Sequence, residues 1–351
     1  MSDDTIRVYY ATNRSCEETA GKPPTFGRQP HAEGAHWIRF GWVDVAATGT
    51  LDDRRYQITQ LHLEPESMAQ GAPKILGSIP TFTAIKQDAS AQDADILCYL
   101  HGFANSFESA IQRAAEIKEK LGERRKLVMF VFCWPSNGEM IPEISYHSDR
   151  NDAEASGHAM ARCLLKLGEF VQSLEKEQRC DKAIHLLAHS MGNYALRWCV
   201  QALVRQSPGQ RLPHMLDDVF LMAADEDNDC LERDDKLAPL LDLAKRVHVY
   251  HSEDDRALKI SDWTKFNPDR LGSTGPRRRG GDRKIVPVNC KYVDIGPDNE
   301  DALTQHQYYR VGEEVVEDLR HVLDGMLPSE IPGRRFAPED GGFLLLPFHK
   351  R

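Results

Sequence analysis

The chain has 351 residues, of which 41% are hydrophobic and 28% are charged, so it can bury a full core and is predicted to be soluble and globular. Its formal net charge of −10 argues against nucleic acid or an anionic membrane as the main partner. No apolar run approaches the roughly 20 residues that a membrane span needs, and the acidic N-terminus lacks the pattern of a secretory signal.

Three segments in the first ninety residues have strand patterns and are joined without long helices. They read RVYYATNR (7–14), HWIRFGWVDVAA (36–47) and YQITQLHLE (56–64). We predict that these segments extend the sheet of the protein in an antiparallel manner.

From residue 95 onward, short apolar strands alternate with amphipathic helices. The strands are predicted over residues 95–103, 126–136, 182–190, 218–225, 247–252 and 286–296. The helices are predicted over residues 106–121, 152–177, 192–205, 237–246 and 311–327, and Ser106 is the expected N-cap of the first. Strands that are apolar throughout and are separated by helices predict an α/β fold, in which helices cover both faces of a mostly parallel central sheet.

The eight cysteines are dispersed along the chain and form no C-x-x-C pair, which argues against a zinc or redox site. Several lie in apolar runs such as ILCYL and FVFCW, where a free thiol behaves as a small hydrophobic side chain. We therefore expect a cytoplasmic protein with reduced thiols, no metal and no organic cofactor.

The segment IHLLAHSMGN (184–193) leads a buried strand directly into Ser190, with small residues at Ala188 and Gly192. A sharp strand-turn-helix junction needs small residues at these two places, because larger side chains would collide with neighbouring backbone. This is the G-x-S-x-G nucleophile elbow with Ala at its first position. The following helix would direct free N–H groups and its positive dipole end at a developing oxyanion. An ordinary serine at a turn is the alternative.

The segment LHGFANSF (100–107) follows an earlier strand, where a hydrolase of this design places its second oxyanion donor. The amide N–H groups of Phe103 and Met191 are predicted to form the oxyanion hole. A plain strand-end turn at His101 and Gly102 is the alternative.

The acid and the base of such a site must follow the serine in that order. Glu253, Asp254 and Asp255 compete as the acid after one strand, and Asp225 at the end of the preceding strand is a rival. His306, on the loop after the last strand, is the only histidine in the place that a base requires. Imidazole can accept and return a proton near neutral pH, and the carboxylate fixes its tautomer.

With these residues the sequence resembles the alpha/beta-hydrolase superfamily, and within it a bacterial branch of unknown function with some esterase members. The resemblance covers about residues 6–325 and rests on VYYATNR, HGFANSF, WPSNG, YHSDRNDAEAS, AHSMGN, DDRAL and HQYY. It implies that Asp255, directly before R-A-L, is the triad acid and that His306 is the base. Ala104 departs from the pattern, because relatives often carry Asn there.

The resemblance also implies that Trp134, Tyr146 and Asp149 lie near the active edge of the sheet, where they wall the pocket or brace its loops. Thr12 and Arg14 are predicted to be structural. The expected substrate pocket is lined by His101, Gly102, Trp134, Tyr146 and His189.

We predict a single alpha/beta-hydrolase domain over residues 1–351, with N-terminal strands in 1–93, the catalytic core in 94–327 and an irregular tail in 328–351. A loop over 262–285 could gate the site, and the apolar tail could pack on its own domain or on a second subunit. The predicted activity is a serine esterase that cleaves short- to medium-chain acyl esters through an acyl-enzyme.

The expected partner is a small-molecule ester rather than nucleic acid or a membrane, and an oligomer is possible. An amidase, a peptidase or a thioesterase would use the same triad. A non-catalytic binding module on the same fold is the alternative of another class.

Overall fold

The computed structural model describes residues 4–50, 53–67, 74–138, 142–172, 182–258, 269–278, 280, 282–293, 295 and 304–348. The described strands are β1 Asp4–Thr12, β2 Arg14–Glu17, β3 Thr25–Pro30, β4 Arg39–Thr48, β5 Arg55–Leu63, β6 Asp95–Leu100, β7 Leu127–Cys133, β8 Ile184–His189, β9 Leu216–Met222, β10 Ala244–His251, β11 Ile285–Asn289, β12 Arg334–Ala337 and β13 Gly342–Leu345. The described α-helices are α1 Ser78–Gln92, α2 Phe107–Leu121, α3 Pro142–Ala155, α4 Gly157–Gln172, α5 Gly192–Gln206, α6 Leu240–Leu243, α7 Leu271–Thr274, α8 Tyr308–Val311 and α9 Glu313–Leu323.

Eleven strands form one sheet in the order β12-β13-β11-β10-β9-β8-β6-β7-β1-β4-β5. The strands from β13 to β1 in this order run parallel to their neighbours, and β12, β4 and β5 pair antiparallel at the two ends. Strands β2 and β3 form a separate antiparallel hairpin. The predicted fold class, a mostly parallel sheet with an antiparallel N-terminal part, is confirmed.

Helices cover both faces of this sheet, which explains why its central strands are apolar at every position. In β6, Ile96 and Cys98 belong to the core that contains side chains of α1, α4 and α5, whereas Leu97 and Tyr99 belong to the core on the side of α2 and α9. Successive side chains of a strand point to opposite faces, so both sets must be hydrophobic.

The structure differs from the predicted elements in several places. The helix predicted over 237–246 is limited to Leu240–Leu243, because β10 begins at Ala244. Strand β1 pairs parallel with β7, so the antiparallel extension begins only at β4. Helix α1 lies within 1–93, where only strands were expected. The helix predicted over 152–177 is divided into α3 and α4 around Ser156, whose hydroxyl donates to the Asp152 carbonyl (2.7 Å). The backbone there approaches α5 closely, because a Cβ on Gly157 would lie 2.7 Å from the Trp198 backbone.

The prediction of an irregular tail over 328–351 is wrong for the described part of that segment. Strands β12 and β13 form an antiparallel hairpin, and β13 extends the sheet parallel to β11. Arg334 of β12 donates two hydrogen bonds of 2.7 Å to Asp318 of α9, and both side chains are fully buried. The tail therefore packs on the chain's own core.

The predicted start of α2 agrees with the structure. The Ser106 side chain accepts from the Ser109 amide and caps α2 as expected. Among the helices that the structure describes, none combines the length and apolarity needed to cross a bilayer.

Candidate active site

The predicted site residues follow the carboxyl ends of parallel strands, which meet at one edge of the sheet. Strand β6 leads into His101, β8 leads into Ser190, and β10 leads into the loop that carries Asp255. His306 lies on the segment that precedes α8. Residues far apart in the sequence are thereby brought to the same edge.

Ser190 stands at a strained turn between β8 and α5, with φ of 52°. This left-handed conformation costs a residue with a side chain about 1–2 kcal/mol and persists only where its surroundings enforce it. The Ser190 amide donates to the Met222 carbonyl (2.9 Å), and the Ser190 carbonyl accepts from the amides of Asn193 (3.0 Å) and Asp225 (3.2 Å). The turn is thus held by hydrogen bonds on both sides.

Two glycines allow the segments around Ser190 to approach each other. A Cβ on Gly192 would lie 2.6 Å from the Leu100 carbonyl oxygen, far inside contact distance. A Cβ on Gly102 would lie 3.0 Å from the Cβ of Ser190. The close approach at Gly192 agrees with the steric argument made from the sequence.

Asn193 braces the turn at Ser190, and sequence reasoning assigned it no role. Its side-chain amide donates to the carbonyls of Ala188 (3.1 Å) and Ser190 (3.0 Å), so it ties the end of β8 to the start of α5. The only hint in the sequence was its place in the AHSMGN motif.

His306 and Asp255 form a buried hydrogen-bonded pair, with 2.7 Å between His306 Nδ1 and Asp255 Oδ2. The other oxygen of Asp255 accepts from the Leu258 amide (3.2 Å). Glu253 and Asp254 are exposed at the surface. The carboxylate that meets His306 is therefore the one that the family resemblance favoured.

Asp225 occupies a different environment from Asp255. Its carboxylate accepts a 2.5 Å hydrogen bond from the Tyr146 hydroxyl and lies 3.8 Å from Arg150 and 3.5 Å from Arg270. Tyr146 also contacts Phe103 edge to face, with 5.9 Å between ring centroids. Asp225 is thus part of a charged and aromatic group beside the turn at Ser190.

Both tyrosines of the HQYY motif hold the segment that carries His306. The Tyr308 hydroxyl donates to the Tyr250 carbonyl in β10 (2.9 Å), and the Tyr309 hydroxyl lies 3.2 Å from that of Tyr99 in β6. The Arg256 amide donates to the Thr304 carbonyl (2.8 Å), which links this segment to the loop of Asp255.

The loop after β6 is braced so that its carbonyl oxygens are occupied. The Asn105 side chain donates to the carbonyls of Gly102 and Phe103 (2.9 Å each). In the described part of the chain, neither the Phe103 amide nor the Met191 amide donates to a backbone carbonyl. Both of these N–H groups thus remain available for another acceptor.

Further bracing comes from side chains behind the loop. The fully buried Trp134 stacks on His101 with 4.9 Å between ring centroids, and its indole N–H donates to the His101 carbonyl (2.9 Å). Asp149 accepts from the Ala104 amide (3.3 Å) and from the Ser136 hydroxyl. Arg14 donates to the Asn105 carbonyl (2.7 Å), which agrees with its predicted structural role.

Two histidines that were expected to line the pocket are buried. Burial, together with the charge of Arg14, lowers the pKa of His101 to about 3, so this ring is neutral at pH 7. Burial also lowers the pKa of His189 well below its usual value. Trp134 and Asp149 were predicted either to wall the pocket or to brace its loops, and their contacts show bracing.

Some predictions fall outside the described residues. Residues 262–268, 279 and 281 of the expected gating loop are among these. Its described part includes α7, which packs closely against the segment after β9. A Cβ on Gly272 would lie 2.3 Å from the Ala224 amide nitrogen. No group of three or more His, Cys, Asp and Glu side chains in the described ranges is arranged to hold a metal ion.

A mostly parallel sheet with helices on both faces, and a strained serine turn at the end of a central strand, define this chain as an alpha/beta hydrolase. It belongs to the family described as alpha/beta hydrolase of unknown function (DUF900), which matches residues 81–323. It is also similar to an uncharacterized protein of Nostoc sp. (strain PCC 7120), with 26% identity over 178 residues. That match covers 42% of this chain and 44% of the relative. No solved structure matches the chain significantly.

Proposed function

We propose that the protein is a serine hydrolase of carboxylic esters, in which Ser190 attacks, His306 transfers the proton and Asp255 orients the imidazole. The observation that carries this proposal is the 2.7 Å bond between Asp255 and His306 at the sheet edge where Ser190 is held at φ of 52°. Serine is a weak nucleophile at neutral pH and needs such a base.

In the proposed reaction, His306 Nε2 accepts the Ser190 hydroxyl proton as Oγ attacks the ester carbonyl carbon. The tetrahedral oxyanion is stabilised by the amides of Phe103 and Met191, each worth about 3 kcal/mol in comparable sites. The protonated His306 then gives its proton to the leaving alcohol, and an acyl-enzyme remains. Water, deprotonated by the same imidazole, releases the acid.

Short- to medium-chain acyl esters are the proposed substrates. Support comes from the connection between β9, which ends at Met222, and β10, which begins at Ala244, because it leaves no room for a large inserted lid domain. We also propose a small-molecule partner and a cytoplasmic location. The seven cysteines within the described ranges are free thiols, which is the state expected in a reducing compartment.

The test compares wild type with Ser190→Ala and Asp255→Asn on chromogenic esters of graded acyl length and on an amide analogue. We expect a loss of about 10³-fold or more in kcat for Ser190→Ala and of about 10²- to 10⁴-fold for Asp255→Asn. Asp254→Asn, at an exposed neighbour, is the matched control and should leave kcat unchanged.

Mass spectrometry after fluorophosphonate labelling locates the nucleophile independently. An adduct on a residue other than Ser190, or full turnover by Ser190→Ala, would exclude the proposal. Faster turnover of the amide than of the esters would replace esterase with amidase, and inactivity on every substrate would favour a binding module.

A further inference from the structure

His189 is the last residue of β8 and directly precedes Ser190. Its ring is 2% exposed and lies between two parts of the segment that carries the proposed base. It stacks on Tyr309 with 4.4 Å between ring centroids and contacts the His306 ring at 4.7 Å. The sequence predicted this residue in the substrate pocket, but these contacts are with the protein itself.

The ring of His189 is hydrogen-bonded to the main chain of His306. Its Nε2 lies 3.3 Å from the His306 carbonyl oxygen. A carbonyl can only accept, so Nε2 carries the proton. Burial and the charges of His306, Arg113 and Arg310 lower the pKa of His189 well below its usual value. The ring is therefore neutral at pH 7, and its Nδ1 carries no proton.

The other side of the ring faces the loop after β6. A Cβ on Gly102 would lie 3.1 Å from His189 Nδ1. His189 therefore contacts the loop of the proposed oxyanion hole and the segment of the proposed base, and it is bonded covalently to the proposed nucleophile. Its neutral state also suits this place, because a second cation here would oppose the imidazolium that forms on His306.

The backbone directly before His306 is strained. Gln305 has φ of 54°, a strained conformation for a residue with a side chain. The bonds of Thr304, Tyr308 and Tyr309 fix neighbouring residues, and the bond from Asp255 fixes the ring of His306. The bond from His189 acts on the peptide of residue 306.

We infer that His189 is a positioning residue, which sets the place of the His306 imidazole by donating its Nε2–H to the His306 carbonyl. This inference rests on the proposed function and deepens it. A small displacement of a catalytic group can cost about 10²-fold in rate. Loss of the donor should therefore lower kcat more than it changes KM.

The test uses His189→Phe, which keeps a flat ring against Tyr309 but has no donor, and His189→Gln, whose side-chain amide nitrogen reaches about as far as Nε2. On the best ester substrate we expect kcat of the Phe variant to fall about 10- to 100-fold, with KM changed less than about threefold. The Gln variant should recover at least a third of the wild-type kcat. His158→Phe and His158→Gln, at an exposed position in α4, are the matched controls.

Four outcomes would overturn the inference. They are an unchanged kcat in His189→Phe, a raised KM at constant kcat, equal losses in the Phe and Gln variants, and a fall in kcat in the His158 controls. If the Phe variant does not fold, His189→Asn, whose amide ends short of the carbonyl, replaces it in the comparison with Gln. Ser190→Ala in the same assay separates the two proposals, because its full activity would exclude the esterase itself.

Discussion

Backbone strain in this protein is concentrated beside the proposed site. Of the five non-glycine residues with positive φ in the described chain, four adjoin it: Ala104, Ser190, Ala223 and Gln305. Each lies in a connection after a strand of the parallel sheet, where the next segment must turn sharply. Such strain persists only if surrounding bonds enforce it, as those of Met222 and Asn193 do at Ser190. We infer that the geometry of the site is set before any substrate binds.

Ala104 offers a direct measure of this strain. Its φ is 56°, and the family resemblance had already marked it as a position where relatives often carry Asn. Asn and Gly tolerate the left-handed region better than Ala does. We expect Ala104→Gly and Ala104→Asn each to raise the free energy of unfolding by about 0.5–1 kcal/mol in urea titrations.

Ala91→Gly is the matched control for the Ala104 variants. Ala91 is an exposed residue of α1, where glycine should lower the free energy of unfolding by about 1 kcal/mol. The two glycine substitutions should therefore have opposite signs. If Ala104→Gly destabilised the protein as much as Ala91→Gly, strain at position 104 would be refuted.

At the scale of elements, the sequence predicts the succession of the core strands along the chain and the strand ends that the proposed site residues follow. Ser190 and His306 could be singled out because each follows an apolar strand whose carboxyl end must reach the same edge. Strand position left Asp255 in competition with Glu253, Asp254 and Asp225, and only the family resemblance favoured it. The partners of Asn193 and His189 could not be predicted. Their hydrogen bonds join segments that are distant in the sequence. Hydrophobic periodicity indicates which face of a helix or strand is buried, but it does not indicate which other segment packs against that face.

Two elements were missed for local reasons. Helix α1 has the sequence SIPTFTAIKQDASAQ, in which a proline near the start and scattered polar residues hide the apolar stripe. Strands β12 and β13 have four residues each, too short for an alternation to be recognised. The hairpin is held in part by a buried ion pair of Arg334, and from the sequence alone a charged residue of this kind is expected at the surface.

The ion pair between Arg334 and Asp318 should therefore dominate the attachment of the β12–β13 hairpin. Among the described residues, Arg334→Met would leave Asp318 buried with only the Tyr250 hydroxyl as partner. Removal of one member of a buried pair costs about 3–5 kcal/mol, because the remaining charge is uncompensated. We expect a loss of this size in the free energy of unfolding, measured by urea denaturation.

Arg335→Met is the matched control, because Arg335 is exposed on the same strand and should change stability by less than about 0.5 kcal/mol. The double variant Arg334→Met/Asp318→Leu should be more stable than Arg334→Met alone. Equal stabilities of Arg334→Met and Arg335→Met would contradict the role given to the pair.

At the scale of the whole molecule, the sheet carries different polar groups at the carboxyl ends of its strands, the carboxyl edge, and at their amino ends, the opposite edge. The carboxyl edge holds the proposed site. Near the opposite edge, Asp218 of β9 accepts from His248 Nε2 (3.0 Å) and from Arg246 Nε (2.8 Å). Asp95 of β6 is paired there with Arg125 and accepts from the Ala183 amide (3.0 Å). Both carboxylates are buried, so their charges depend on these partners.

This opposite edge should contribute to the stability of the protein in acid. Burial alone would raise the pKa of Asp218, but the bond from His248 and the charges of His248, His185 and Arg246 lower it to about 2, against a usual value of 3.8. Asp95 is shifted in the same direction by His185 and Arg125. A lowered folded-state pKa contributes stability that is present above about pH 4 and is lost as the pH falls towards 2.

Each pKa unit corresponds to about 1.4 kcal/mol, so a lowering of this size makes the charge of Asp218 worth on the order of 2 kcal/mol. Asp218→Asn should lower the free energy of unfolding at pH 7 by about this amount and should flatten its decline between pH 4 and 2.5, measured by urea titration at each pH. Asp53→Asn, at an exposed ion pair, should keep the wild-type slope. If the free energy of unfolding of Asp218→Asn falls as steeply with decreasing pH as that of wild type, groups other than Asp218 cause the loss of stability in acid.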